Sequence, residues 1–491
     1  MSRISTILSR HSTSVASILD QISFFMVYPW ATALSKIIAY YFIPDLNSFG
    51  WWSNLKEKFL FGPLLCIFFL GLFPVGLAGF LLWIFICSVF PRKKYSYLEL
   101  GTKGNKKSEE AKEVFTLACA NVLLANEVFC RWNNNGNPMA RSKLIGQRLL
   151  QQTPYFLQNF LLPQLCKKDT VIADLPDVDI LCIQEVWERY WAAIMIDQLG
   201  LKYSYFIHDV GDHRLKANCC LFGSGLFVAC KYPILAVEFQ PFQFRTHYAK
   251  FFSYGVLCLK IQINKERIAY VANLHGQAYQ GKEPVLYHQL SESLSAINAF
   301  RLKTRLPEEN VIFDVVCGDF NFDNMSPGDA ATQNHPLFNQ YIDACSKRPG
   351  EDHHWTVGTE LRQLRMHEPI VSTADALRHV LIDDVRRRQY VLDADVEEQT
   401  TALASIDPST DKNGNSKIPF FALLLCGGIC FIIFFLTGKV VCESWGGKRR
   451  IDRILLRKDS PAQVVGYGFS SVLAGLTDHI PVTLSLKVAT D

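Results

Sequence analysis

Three apolar stretches stand out against a chain that otherwise alternates short apolar runs with polar turns. The first runs from Phe24 to Ile43 and is interrupted by Lys36. The second, Phe59 to Phe90, carries no charge. As one helix its roughly 32 residues would reach about 48 Å, against a hydrocarbon core of about 30 Å. Pro63 and Pro74, with Gly71, Gly76 and Gly79, interrupt the helical pattern, so a bent or hairpin insertion is expected rather than one straight span. Arg92, Lys93 and Lys94 follow at once, and a basic cluster just past a membrane segment favours the cytosolic side and anionic phospholipid. The third stretch, Ile418 to Val441, is also long enough to span.

From about Phe115 the pattern becomes that of a folded domain. Short strands are expected at Phe115–Ala120, Asp179–Ile183, Gly225–Ala229, Tyr254–Ile263, Ile268–Asn273, Val311–Cys317, Arg453–Leu456 and Val482–Val488. A helix is expected over Met139–Phe160, and Asp343 to Gln399 reads as polar and helical. Many short strands with helices between them predict a layered α/β sandwich. The chain therefore divides into a membrane-attachment region, 1–95, and a domain over 112–491 interrupted by the apolar insertion at 418–445.

Composition agrees with lipid contact. Of 491 residues 49% are apolar and only 20% charged, with a mean hydropathy of +0.10; soluble enzymes carry more charge. The net charge of +4 is too small for a dedicated nucleic-acid binder. Fifteen scattered cysteines without zinc spacing read as reduced thiols in a cytosol-facing protein. The adjacent Cys219 and Cys220 are either S-acylated or structural. Met1 to Asp20, acid-free until its last residue, resembles a mitochondrial presequence in composition, or is a short amphipathic lead into the first apolar segment.

Polar residues terminate the predicted strands. Asn121 follows the first, Gln184-Glu185 the second, His275 ends the run through Val271, Gly318-Asp319-Phe320-Asn321 follows Cys317, and Thr477-Asp478-His479 precedes the last strand. Each alone has a plainer reading: a capping carboxylate, a core histidine, turn chemistry. Together they form one set of Asn, Glu, His and Asp at strand ends, where function collects.

This order of motifs resembles the endonuclease/exonuclease/phosphatase (DNase I-like) superfamily, whose fold is a four-layer αββα sandwich. Gly318-Asp319-Phe320-Asn321 and Thr477-Asp478-His479 are its most specific pieces. The likeness narrows to the membrane-bound neutral sphingomyelinases through Leu181–Val186, Ser224-Gly225-Leu226, Tyr232-Pro233-Ile234, Asp314–Asn324, Arg449–Asp452, Gly475–Val482 and the paired apolar segments in front. It implies Mg²⁺-dependent hydrolysis of sphingomyelin to ceramide and phosphocholine, with Mn²⁺ as an alternative ion. Glu185, helped by Asn121, would hold the metal, an arrangement that suits an oxygen-preferring ion that keeps several waters. His479 would be the general base. Asp478 belongs to the family's catalytic pair, but neighbouring side chains rarely bond each other, so Asp319 is expected to orient His479. His275 and Asn321 would donate to phosphoryl oxygens, and Asp452 would support the leaving-group side. Trp355 and nearby aromatics read as core in preference to a cation–π box for choline.

The chain departs from the family in four places. A second histidine is absent from Leu274-His275-Gly276-Gln277. Arg453 stands where the family has Tyr. An Asp and a Lys linked to activation are missing from Ala249–Gly255. The insertion is the fourth: a single crossing at Ile418–Trp445 would put Asp319 and Asn321 on one side of a bilayer and Asp452 and His479 on the other. It must dip into one leaflet, loop out, or be foreign to the domain, as a translated intron would be, and its polar flanks would join without it. The competing readings are another phosphoesterase of this fold and a membrane scaffold without activity. Plasma membrane, Golgi, endoplasmic reticulum and mitochondria all suit these segments.

Overall fold

The computed structural model describes residues 14–43, 55–90, 92–100, 112–153, 167–212, 220, 222–278, 284–394 and 446–489. The insertion at 418–445, Cys219 and residues 1–13 of the proposed leader lie outside these. Two long helices come first, α1 (Ser14–Phe42) and α2 (Gly62–Val89). The strands then run β1 (Ser96–Glu99), β2 (Val114–Leu124), β3 (Val171–Ile172), β4 (Ile180–Val186), β5 (Tyr205–His208), β6 (Phe227–Cys230) and β7 (Ile234–Pro241). They continue as β8 (Gly255–Gln262), β9 (Arg267–His275), β10 (Asn310–Asp319), β11 (Tyr341–Asp343), β12 (Asp452–Arg457), β13 (Gln463–Ser470) and β14 (Val482–Lys487). Helices α3 (Glu127–Trp132) and α4 (Pro138–Arg148) separate β2 from β3, α5 (Arg189–Leu199) follows β4, and α6 (Val285–Thr304) joins β9 to β10. Between β11 and β12 lie α7 (Ala374–Ile382) and α8 (Asp384–Tyr390).

Two large sheets result, ordered β1-β5-β6-β4-β2-β14-β13-β3 and β11-β12-β10-β9-β8-β7, beside two short two-stranded ones. Alternation along β2 explains how they stack. Phe115, Leu117 and Cys119 join Leu257, Leu259, Val271, Val315 and Cys317 of the second sheet in one buried core. Ala118, Ala120 and Val122 face the other way, onto Ile145 of α4 and Met195, Ile196 and Leu199 of α5. On the far side, Cys258, Tyr270 and Val316 meet Leu286, Leu290, Ile297 and Phe300 of α6. Helix, sheet, sheet, helix is the four-layer sandwich expected.

Several expectations need correction. Phe59–Phe90 is not a hairpin: after one π-helical turn at Glu57–Phe61, α2 continues through Pro74. In apolar surroundings, losing the one hydrogen bond that proline removes costs less than unwinding the turns around it. The hairpin forms instead between α1 and α2. A Cβ on Gly76 would meet Trp30 at 2.5 Å and one on Gly79 would meet Met26 at 2.5 Å, so glycine lets the helices touch. The helix expected over Met139–Phe160 ends at Arg148. Of the stretch Asp343 to Gln399, expected to be helical, the described residues 343–394 are mainly loop, with α7 and α8 as their longest elements. Both α1 and the π-helical turn with α2 form helices long and apolar enough to cross a membrane. Leu64, Ile67, Leu70 and Leu81 stand outward and exposed along α2. The hairpin is tied to the domain by Asp20–Arg189 at 2.7 Å and Glu57–Arg131 at 2.6 Å.

Candidate active site

Sheet register gathers the strand-end residues. In each sheet one parallel pair brings two C-terminal ends side by side: Asn121 opposite Gln184 across β2 and β4, and His275 opposite Asp319 across β9 and β10. The antiparallel β12 then sets Asp452 opposite Asp319. The two sheets are bridged at this edge by Asn121, whose Nδ2 donates to Glu185 Oε1 at 2.8 Å and to Asp319 Oδ2 at 2.9 Å. Beneath it, Gln184 Nε2 donates to Asn273 Oδ1 at 2.6 Å. Glu185 sits at a φ of +63°, a backbone cost that site residues carry when their surroundings fix them. Gly225, whose amide oxygen accepts from Val186, comes so close that a Cβ there would lie 3.0 Å from Glu185 Cα.

His479 Nδ1 is 2.9 Å from Asp452 Oδ2, whereas its Nε2 is 4.0 Å from Asp319 Oδ2. The carboxylate bonded to His479 is therefore Asp452, not the expected Asp319, and Asp452 lies against the imidazole rather than apart from it. Burial by itself would lower the His479 pKa, but the Asp452 carboxylate and, behind it, Asp319 and Asp478 hold it well above the ordinary histidine value. His275 shows the opposite balance: burial drives it down to about 4, against the pull of Asp319, so it is neutral near pH 7. Its Nε2 lies 3.7 Å from Glu185 and 3.8 Å from Asp319. Burial likewise raises Glu185 to about 7 and pushes Asp319 above the usual carboxylate range.

The remaining predicted residues are present with more specific attachments. Asn321 donates from its backbone to Asp319 Oδ1 and from Nδ2 to Gly276 O, both at 2.9 Å, so one amide proton holds the neighbouring loop. Asp478 accepts from Gln363 Nε2 at 2.8 Å. Gln363 and Thr359, which lies behind the His479–Asp452 pair, escaped the sequence reading because each sits in irregular chain with no motif. An aromatic wall was also missed: Tyr254 packs edge-on to His275 at 4.9 Å, and Trp187 meets Phe252 at 5.0 Å. Trp355 is buried in the central core and builds no box at the site. Where the family's second histidine is absent, Gln277 bonds Thr246. Arg453 stacks on Phe322 at 4.2 Å.

A model of the endonuclease/exonuclease/phosphatase family matches residues 132–479. The chain belongs to this family. As a member it is a phosphoric diester hydrolase with the DNase I-like sandwich. It is similar to sphingomyelin phosphodiesterase 5 of Danio rerio, 26% identical over 96% of both chains. Against sphingomyelin phosphodiesterase 3 of Mus musculus it is 31% identical over 64% of this chain and 45% of that one. Sphingomyelin phosphodiesterase 5 of Mus musculus matches at 25% identity over 96% of this chain and 92% of the relative.

This family member holds two groups whose ligand atoms lie within 4.8 Å of one another, Glu185–His275–Asp319 and Asp319–Asp452–His479. Buried carboxylates this close need a counter-charge. Asp452 Oδ1 is buried without a hydrogen-bond partner, an acceptor that a cation or its water would satisfy. Donors dominated by oxygen fit Mg²⁺ or Mn²⁺.

Proposed function

We propose that this chain is a Mg²⁺-dependent phosphodiesterase that hydrolyses sphingomyelin in a membrane to ceramide and phosphocholine. The observation that carries the reading is the His479–Asp452 pair beside Glu185, Asn121 and Asp319 in a chain similar over nearly its whole length to a sphingomyelin phosphodiesterase. Asp452 accepts from Nδ1–H, so in the neutral ring it is Nε2, turned toward Asp319, that carries no proton. Nε2 then takes a proton from a water that attacks phosphorus as the bond to the ceramide oxygen breaks. Neutral His275 donates one hydrogen bond to a phosphoryl oxygen, where charge builds, and the second Nδ2 proton of Asn321 serves the same face. Gln363 holds Asp478 beside the base. Glu185 and Asp319 would hold the cation, with the Asn121 amide that donates to both carboxylates keeping them in place. When bound, the cation would neutralise the phosphoryl group and the departing alkoxide.

The α1–α2 hairpin would hold the domain on a bilayer, with the domain on the cytosolic side. Of the three basic residues after it, Lys93 is exposed to anionic phospholipid, while Lys94 donates to Phe239 O at 3.2 Å and Arg92 reaches Cys87.

Release of phosphocholine from sphingomyelin in mixed micelles tests the reading, with lyso-platelet-activating factor and single-stranded DNA as competing substrates and His479→Ala as blank. Turnover that needs Mg²⁺, prefers sphingomyelin and vanishes in the blank is expected. Preference for either competitor would move the chain to another phosphoesterase of the fold. A folded protein inactive on all three would make it a scaffold.

A further inference from the structure

We infer that Thr359 is the positioning residue that sets the His479–Asp452 pair for catalysis. The inference rests on His479 acting as the base. The two members of the pair come from different sheets: Asp452 opens β12 of the six-stranded sheet, and His479 precedes β14 of the eight-stranded one. No ladder joins β12 to β14. Thr359 is fully buried between them. Its Oγ1 accepts from the amides of Ile451 at 3.0 Å and Asp452 at 3.1 Å. Its own amide donates to Arg449 O, and its carbonyl accepts from Ile480 N, each at 2.8 Å. The next residue, Glu360, pairs with His479 as a short antiparallel bridge, and Leu361 N donates to Asp478 O at 2.7 Å. Arg449 Nε completes the clamp on Glu360 Oε2 at 2.6 Å.

One side chain and one peptide thus grip the strand that carries the carboxylate and the turn that carries the imidazole. The hydroxyl is short and its rotamer is set by the branch at Cβ, so it transmits little slack. Misplacement of about 1 Å at such a pair costs about 100-fold in rate. Thr359 acts through Asp452 and not by touching substrate.

Thr359→Val keeps the shape and removes the acceptor. It should lower kcat on sphingomyelin by about 10- to 100-fold, per folded molecule, at unchanged KM. Thr359→Ser, which keeps Oγ, should return to within about threefold of wild type. Thr359→Cys, a weak acceptor of similar size, should behave as Val and guards against a Val variant that does not fold. Wild-type kcat in a folded Val or Cys variant overturns the proposal. So does a loss carried in KM, or one that Ser fails to rescue, since either would mean a structural role only. An inactive wild type would instead remove the assignment of His479 on which the inference rests.

Discussion

The amide of Gly447 donates to the carboxylate of Asp393 at 2.6 Å, across 54 residues of chain. Beside it, Arg449 N donates to Leu392 O at 3.1 Å. Residues 392–393 and 447–449 therefore lie side by side in the domain. Asp319 and Asp452, one before and one after residues 395–445 in the sequence, pair across β10 and β12. Replacing residues 395–445 with a short Gly/Ser linker should leave Mg²⁺-dependent turnover within about threefold, because shortening a loop changes closure entropy by only about 0.6 kcal/mol per halving. Full loss of turnover in a folded deletion would show that the segment serves the site.

Asp452→Asn should cost more in rate than in stability. The carboxylate selects the Nδ1–H tautomer and raises the His479 pKa by favouring the imidazolium. In wild type, kcat/KM should rise with pH as His479 loses its proton, with an acid limb above the ordinary histidine value. Without the negative charge the limb should move to lower pH, while the plateau falls by about 10²- to 10⁴-fold. A pH–rate profile reads both. An unmoved limb would detach Asp452 from the base.

Glu185 links the site to stability. Its pKa rises from 4.5 to about 7 in the fold. The folded state thus keeps a proton that the unfolded chain releases, so this contribution is complete below 4.5 and is lost as pH climbs through 7. In EDTA, Glu185→Gln should raise Tm at pH 8 by about 2–4 °C and change it little at pH 4. The same variant should lose the stabilisation that Mg²⁺ gives wild type. Equal destabilisation at both pH values would point to lost packing instead.

Arg450 is buried with two carboxylates, Asp343 and Asp352, each at 2.9 Å, just before the strand that carries Asp452. Arg450→Met leaves Asp352 without its guanidinium and Asp343 with only the more distant Arg453, at 3.7 Å. It should cost about 3–5 kcal/mol, read as a lower urea midpoint. A loss under about 1 kcal/mol would show that the neighbouring Arg453 takes over the pairing.

Much of the domain was legible because its strands alternate and end in polar residues. Val311–Cys317 and Ile268–Asn273 fall inside β10 and β9, His275 and Asp319 close those strands and Glu185 is one residue from the end of β4, whereas β2 runs three residues past Asn121 and Asp478 and His479 lie in the loop before β14. Four-residue β5 and the short β1 were not, since so few positions carry no period. Nor was the continuity of α2, because local propensity penalises Pro74 while apolar surroundings penalise broken backbone hydrogen bonds more. The identities of the chemical groups thus lie in the linear sequence. Which carboxylate serves His479, and that Thr359 and Gln363 stand behind the site, was decided by sheet register and by loops arriving from far along the chain. Hydrogen bonds of 3 Å depend on that arrival, and no spacing along the chain encodes it.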